Sequence, residues 1–180
     1  NELRTGRPIV LGEKGNYWIF YNIEHATKNI INQFKTIQDK ETYLLITKQK
    51  AKQLSPNKLN SNIFFQVSSN FNHSKFQDLF LNPANKTNIL NLKNHNLTKS
   101  KLFHNYALEL SKNAKLIPSL IFKKINSKFN DDIDSVLSYM GLLKFKYSDL
   151  VNQNKHISDS IKLVSSANVP LPYVEDSSFK

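Results

Sequence analysis

Six short apolar runs, at 8–11, 17–21, 43–46, 62–68, 119–122 and 142–147, alternate with turn signals or with segments of helical spacing. Strand-sized runs interleaved with helical segments can bury their apolar sides only by laying helices on a sheet, so this order constrains the fold more than any other feature. Pro8-Ile9-Val10-Leu11 and Tyr17-Trp18-Ile19-Phe20-Tyr21 flank the glycine-containing stretch Gly12 to Asn16, which predicts a hairpin with its turn over those five residues. Thr27 stands at an N-cap position ahead of Ile30, Ile31 and Phe34, and the helical spacing breaks at Asp39-Lys40. Residues 47–54 add a helical turn or two, stopped by Ser55-Pro56. Leu102, Phe103, Tyr106, Ala107 and Leu110 mark a helix over 100–114. Asn130-Asp131-Asp132 opens another, with Ile133, Val136, Leu137 and Met140 on one face and Gly141 closing it. The expected class is α/β, an α+β sandwich with a mixed β-sheet and helices packed on it.

Between 69 and 101 the chain is dense in Asn, Lys, Ser and His, and we expect only a short helix near 76–81, a loop at Pro83 and a short strand near 89–92. A short helix is expected to begin at 148–152. Beyond Asn154, Ile157, Ile161, Val164 and Val169 suggest one more helix or a linker, ended by Pro170 and Pro172. A length of 180 residues fits one domain able to bury about 70% of its unfolded surface. From the start at Asn1, the initiator Met is expected to be missing.

The net charge of +11 is uneven. Residues 1–74 hold 10 Lys/Arg against 5 acids, 75–128 hold 10 against 2, and 129–180 hold 5 against 7. Nearly all of this positive charge is Lys, with only Arg4 and Arg7 able to read phosphates or bases bidentately. A solvated Lys-rich surface is therefore preferred to a nucleic-acid interface, and a basic nucleic-acid or anion-binding domain is kept as an alternative. With no Cys there is no disulfide framework, thiolate cage or cysteine nucleophile. No run approaches 18 apolar residues, so no membrane span is expected, and a cytoplasmic location is the default.

The four glycines contain no pair spaced as a dinucleotide or Walker loop. His25, His73, His95, His104 and His156 stand in separate segments, with no i, i+4 pair to grip a metal. Glu24 and Glu109 are the only Glu residues set within apolar segments, and a buried carboxylate there would suit general acid–base work; solvated positions are the simpler expectation. Asp131, Asp132 and Asp134 fall in a first helical turn, where they complement the helix dipole. Lys123-Lys124 could form an anion site or a desolvated amine, against the plain reading of solvent-facing lysines. No catalytic, cofactor or metal residue is assigned.

Four stretches together resemble the 3,4-dihydroxy-2-butanone 4-phosphate synthase domain of riboflavin biosynthesis, in the version fused ahead of a GTP cyclohydrolase II domain. They are ELRTGRPIVL, YLLITKQKAKQL, the long run from Leu102 to Val151, and SIKLVSSANVPLPYVEDSSFK, the last being similar to the linker that opens the cyclohydrolase domain. The resemblance covers residues 2–180. It implies a synthase-like domain over 1–153 and a linker over 154–180 leading toward a cyclohydrolase domain absent from this chain. It also implies a homodimer, Mg or Mn in the family's site, and Zn in the following domain.

The family's site residues are missing from the matching positions. Its acidic first loop corresponds to GEKGNY, where Asn16-Tyr17 replaces Gly-Asp and Glu13 alone echoes a carboxylate. The loop that holds substrate phosphate corresponds to the Asn- and Phe-rich segment 69–82. The metal-binding His of "GHTEA" corresponds to Phe103, with His104 one position late and so rotated about 100° around a helix. The Glu of "CE" corresponds to Lys124. The resemblance therefore implies a degenerate, catalytically silent domain, a pseudoenzyme retained for scaffolding, dimerisation or positioning its neighbour, with no cofactor of its own. An active synthase with a rebuilt site is the alternative.

Overall fold

The computed structural model describes residues 2–13, 15–54, 61–67, 74, 80, 98–146, 148, 167–168 and 178–179. Chain contacts divide it into two units, 1–147 and 148–180. In the second, β8 (Ala167–Asn168) pairs antiparallel with β9 (Ser178–Phe179).

In the first unit the strands are β1 (Ile9–Glu13), β2 (Asn16–Asn22), β3 (Thr42–Ile46), β4 (Ile63–Val67), β5 (Thr98–Lys99), β6 (Ser119–Lys124) and β7 (Leu143–Phe145). They form one sheet in the order β5-β4-β3-β6-β2-β1-β7. Every neighbouring pair is antiparallel except β1 with β7, which is parallel, so the sheet is mixed as expected. The helices are α1 (Lys28–Gln33), α2 (Lys48–Leu54), α3 (Leu102–Asn113) and α4 (Ile133–Tyr139). Thr27 caps α1, its side chain accepting from the Ile30 N–H at 3.3 Å. Gly141 follows α4 with φ +63°, the left-handed exit that glycine makes without steric cost.

The six expected strands all form, and their differences from the sequence reading have local causes. β1 runs through Gly12 and Glu13, which leaves only two residues between Glu13 and its partner Asn16. Gly12 permits this because a Cβ there would fall against the Asn16 carbonyl and 2.7 Å from Tyr17 Cα. β6 continues through Lys123 and Lys124 because both pair with β2, opposite Ile19 and Trp18. β7 is shorter than the 142–147 run, since only Ile9, Val10 and Leu11 of β1 pair with it. β5 has no apolar run to announce it; Thr98 and Lys99 are strand because they pair with Phe64 and Ile63. Of the expected helix at 76–81 only Phe80 is described, buried in the core, and the expected strand at 89–92 lies outside the described residues. So do the segments beyond 148 that were expected to be helical, apart from the residues of β8 and β9.

Strand alternation gives the sheet two buried faces. Val10, Ile19, Tyr21, Leu44, Phe65 and Ile121 share one core with Ile31 of α1, Ala51 of α2 and Ile133 and Leu137 of α4. Fully burying such side chains contributes about 1.5–3 kcal/mol each. The opposite face carries Leu11, Trp18, Phe20, Tyr43, Phe64 and Phe122, and α3 lies on it through His104, which packs against Phe64 and Phe122.

Candidate functional site

The face under α3 is built from rings. Tyr43 and Phe64 stack at 5.1 Å between centroids and 2° between planes, and His104 stacks on Phe64 at 3.9 Å. Trp18 stands edge-on to Tyr43 and to Phe64, at 5.3 and 5.9 Å. Offset and edge contacts of this kind contribute beyond burial alone, about 0.5–1.5 kcal/mol per pair. α3 covers only part of this surface. Two clefts of about 310 and 370 Å³ remain, and both are lined by Asn16, Trp18, Lys101 and Phe103. Leu11, Gly12 and Leu102 complete the first, and Tyr43, Phe64 and His104 are among the walls of the second.

His104 is 3% exposed, and its Nδ1 accepts the Lys101 N–H at 3.0 Å, closing the first turn of α3. A neutral ring that accepts at Nδ1 carries its proton on Nε2. Burial, then the nearby Lys101 charge, holds the imidazole down at about 3, so it is neutral at physiological pH. Its Nε2 and the Trp18 Nε1 are buried without a hydrogen-bond partner among the described residues. Such orphaned donors cost about 1–3 kcal/mol each.

The remaining sequence candidates are structural. Glu24 is half-buried and accepts the Ile117 N–H, while Asn22 donates from Nδ2 to the Ile117 carbonyl at 2.8 Å. These bonds tie the end of β2 to the approach to β6, which corrects the expectation of a solvated Glu24. Glu109 is exposed on α3 and pairs with Lys112 at 2.7 Å, as a solvated residue would. Asp131 and Asp132 are exposed at the start of α4, and Asp134 in its first turn pairs with Lys144 of β7. Lys123 is not solvent-facing. It is 9% exposed, and its Nζ donates to the carbonyls of Lys40 and Glu41 at 3.2 Å and to Thr42 Oγ1 at 3.0 Å. Burial lowers its pKa, but three acceptors occupy the ammonium, so it is no free nucleophile. Lys124 is exposed on the face of its cross-strand partner Trp18. His25 is half-buried beside Gly6, and His73, His95 and His156 lie outside the described residues.

Gly12 and Asn16 of the β1–β2 hairpin, Phe103 at the start of α3, and Lys124 beside Trp18 thus gather around one cleft region although they are far apart in sequence. A hard divalent cation needs several oxygen ligands. Here the hairpin carries Glu13 as its only acid, with an amide at Asn16, an apolar ring at Phe103 and a cation at Lys124. Among the described residues no group of three metal-ligating side chains converges. The donor set does not fit Mg²⁺ or Mn²⁺. No described helix is long and apolar enough to cross a membrane.

No family model matches the chain, and no curated protein matches it in sequence. Solved structures do match in shape. The chain is similar to the 3,4-dihydroxy-2-butanone 4-phosphate synthase of Candida albicans, with a TM-score of 0.60 and 12% identity, over 85% of this chain and 93% of that one. It is also similar to RibBX, a two-domain 3,4-dihydroxy-2-butanone 4-phosphate synthase from A. baumannii, with a TM-score of 0.62 and 12% identity, over 96% of this chain and 61% of that one. The protein is therefore a mixed α/β domain of the layered kind in which helices cover both faces of one sheet. More particularly, it has the fold of 3,4-dihydroxy-2-butanone 4-phosphate synthases.

Proposed function

We propose that this chain is a catalytically silent version of that fold, kept for its architecture rather than its chemistry. The observation that supports this best is the content of the cleft between hairpin and α3. Two of the positions that resemble the synthase family's site, Asn16 for its metal-binding loop and Phe103 for its metal-binding His, line it, and Lys124, for its active-site Glu, is the cross-strand neighbour of the lining Trp18. Rearranging ribulose 5-phosphate to release formate passes through enediol intermediates, which need a metal for the developing oxyanion and a positioned base. A lysine cannot replace a carboxylate base, and its charge repels a divalent ion. General acid and base groups contribute ~10²–10⁴-fold each, so their joint loss is disabling.

The retained role in this reading is a homodimeric scaffold within a cytoplasmic riboflavin-pathway protein, positioning a GTP cyclohydrolase II domain beyond residue 180. In this arrangement residues 1–153 are the synthase-like body and 154–180 the linker. Homodimerisation agrees with the general preference of soluble proteins for two-fold assemblies. Light scattering of the purified chain is expected to give twice its 20.8 kDa mass. A strict monomer at tens of micromolar removes the dimer from the reading.

The catalytic part is tested by incubating the protein with ribulose 5-phosphate and excess Mg²⁺ and following formate, beside a Lys124→Glu variant. No metal-dependent release is expected from either protein. Turnover by the unaltered chain at ~1 s⁻¹ or more, an ordinary enzyme rate, overturns the silent-domain reading and favours a rebuilt active site.

A further inference from the structure

We propose that the cleft beneath α3 binds a small planar aromatic anion, with the ring against Trp18, Phe64 and Phe103 and the anionic group at the start of α3 beside Lys101. This goes beyond the silent-domain reading and does not depend on it, because it concerns what the cleft now holds.

Three independent observations converge on this ligand. The first is size and wall chemistry. Clefts of about 310 and 370 Å³ lie within the range of small-ligand sites, and their shared walls include Trp18 and Phe103. Such walls stack on a flat ring.

The second is the supply of unpaired donors. α3 spans twelve residues, and its first N–H groups, at Leu102 and Phe103, make no hydrogen bond with described residues. Both of these residues line the smaller cleft. Orphaned N–H groups at the positive end of a helix select an acceptor carrying negative charge.

The third is charge. Lys101, which lines both clefts, and Lys124, beside Trp18, form no ion pair with any described residue. Asp39 and Glu41 act on Tyr43, which lines the larger cleft alone, whereas Lys101 lines both clefts. Lys99 also lines the larger cleft, and a compact group of three lysines suits a single anionic group, whereas a nucleic-acid strand needs a row of cations along its backbone.

Trp18 is the only tryptophan in the chain, so its fluorescence reports on this cleft alone. The test titrates the full chain with 4-nitrophenyl phosphate, whose ring quenches indole emission, and measures affinity in parallel by calorimetry. Inorganic phosphate, ribulose 5-phosphate and oligothymidylate serve as comparisons. Saturable quenching at submillimolar 4-nitrophenyl phosphate is expected, with inorganic phosphate and ribulose 5-phosphate binding far more weakly. Lys101→Glu, at an exposed position, is expected to weaken binding by about tenfold or more, the scale of one lost charge-assisted hydrogen bond, without changing the melting temperature. Trp18→Phe, followed by calorimetry, should retain binding with a smaller loss. Equal affinity for inorganic phosphate and the aryl phosphate overturns the proposal, because the rings would then contribute nothing. Unchanged affinity in Lys101→Glu, or absence of saturation in the millimolar range, does the same. Tight oligothymidylate binding without binding of the aryl phosphate replaces it with a single-strand surface.

Discussion

On one face of the sheet Val10, Ile19, Leu44, Phe65 and Ile121 are sealed beneath α1, α2 and α4, while on the other Trp18, Tyr43, Phe64 and Phe122 meet, among the described helices, only α3 and leave clefts beside it. The closed face is aliphatic apart from Tyr17, Tyr21 and Phe65 among its strand residues; there Gln38 donates to Tyr21 and Lys123 has three acceptors, while Gln38 Oε1 is buried without a partner among the described residues. The open face is aromatic and keeps one indole and one imidazole N–H group buried without a partner among the described residues. One side of the sheet is thus organised for stability. The other is built from rings and keeps open clefts beside α3.

The largest test of this difference is truncation of matched rings. Phe65→Ala on the closed face is expected to cost about 3–5 kcal/mol, since the surrounding core cannot collapse into the space. Tyr43→Ala, which removes a half-buried ring at the cleft wall, should cost about 1 kcal/mol, the centre of the range for point substitutions. Urea denaturation of both variants measures this, and equal costs would erase the distinction between the faces.

A pH series sharpens the comparison through His104. Its folded pKa of about 3 lies below the ordinary 6.5, so between those values the unfolded chain holds a proton that the fold refuses. The ring therefore leaves stability flat above pH 6.5 and lowers it as the pH falls toward 3, by ~1.4 kcal/mol per unit. From pH 7 to pH 5 this amounts to about 2 kcal/mol. His104→Phe should lose that portion of the slope whatever it does to stability at pH 7, and an unchanged slope would refute the buried neutral imidazole.

Gly12→Ala probes the rim where the hairpin meets the open face. The added methyl meets Asn16 and Tyr17 backbone, so strand separation costing about 1–3 kcal/mol is expected, as for other forced overpacking. Amide exchange across the β1–β2 ladder should speed up in the variant. Glu109→Ala lies on the solvent side of α3 and touches neither face. Breaking its exposed pair with Lys112 should change stability by no more than about 0.5 kcal/mol, read by thermal melting.

Much of the fold was legible in the residues. The run Tyr17 to Tyr21 is apolar at every position, which marks a central strand buried on both sides, and it lies between β1 and β6. Thr27 and Gly141 bound their helices because capping is a local event, settled within one turn of chain. Glu24 and Lys123 were misjudged for the opposite reason. Their partners, Ile117 and the 40–42 segment, are about 80 to 90 residues away in sequence, and no spacing rule reveals a bond across that separation. The cleft was missed likewise, although Trp18, Tyr43, Phe64 and Phe103 were each visible as apolar positions. A ring in a strand reads as core until the neighbouring layer is known to stop short of it.

The sequence by itself determined six of the strands, the helices and the caps at Thr27 and Gly141, because these depend on residues within a few positions of each other, whereas β5 is strand only through its pairing with β4. It also determined that the positions resembling a synthase site lack the acids and His that such a site uses. Tertiary structure alone decided which face each strand residue occupies in the assembled sheet, that α3 covers one face incompletely, and that the hairpin, Lys101, Phe103 and Lys124 share a neighbourhood. The physical reason is that strand order and layer coverage are set by long-range packing, in which the free energy belongs to pairs of surfaces rather than to segments.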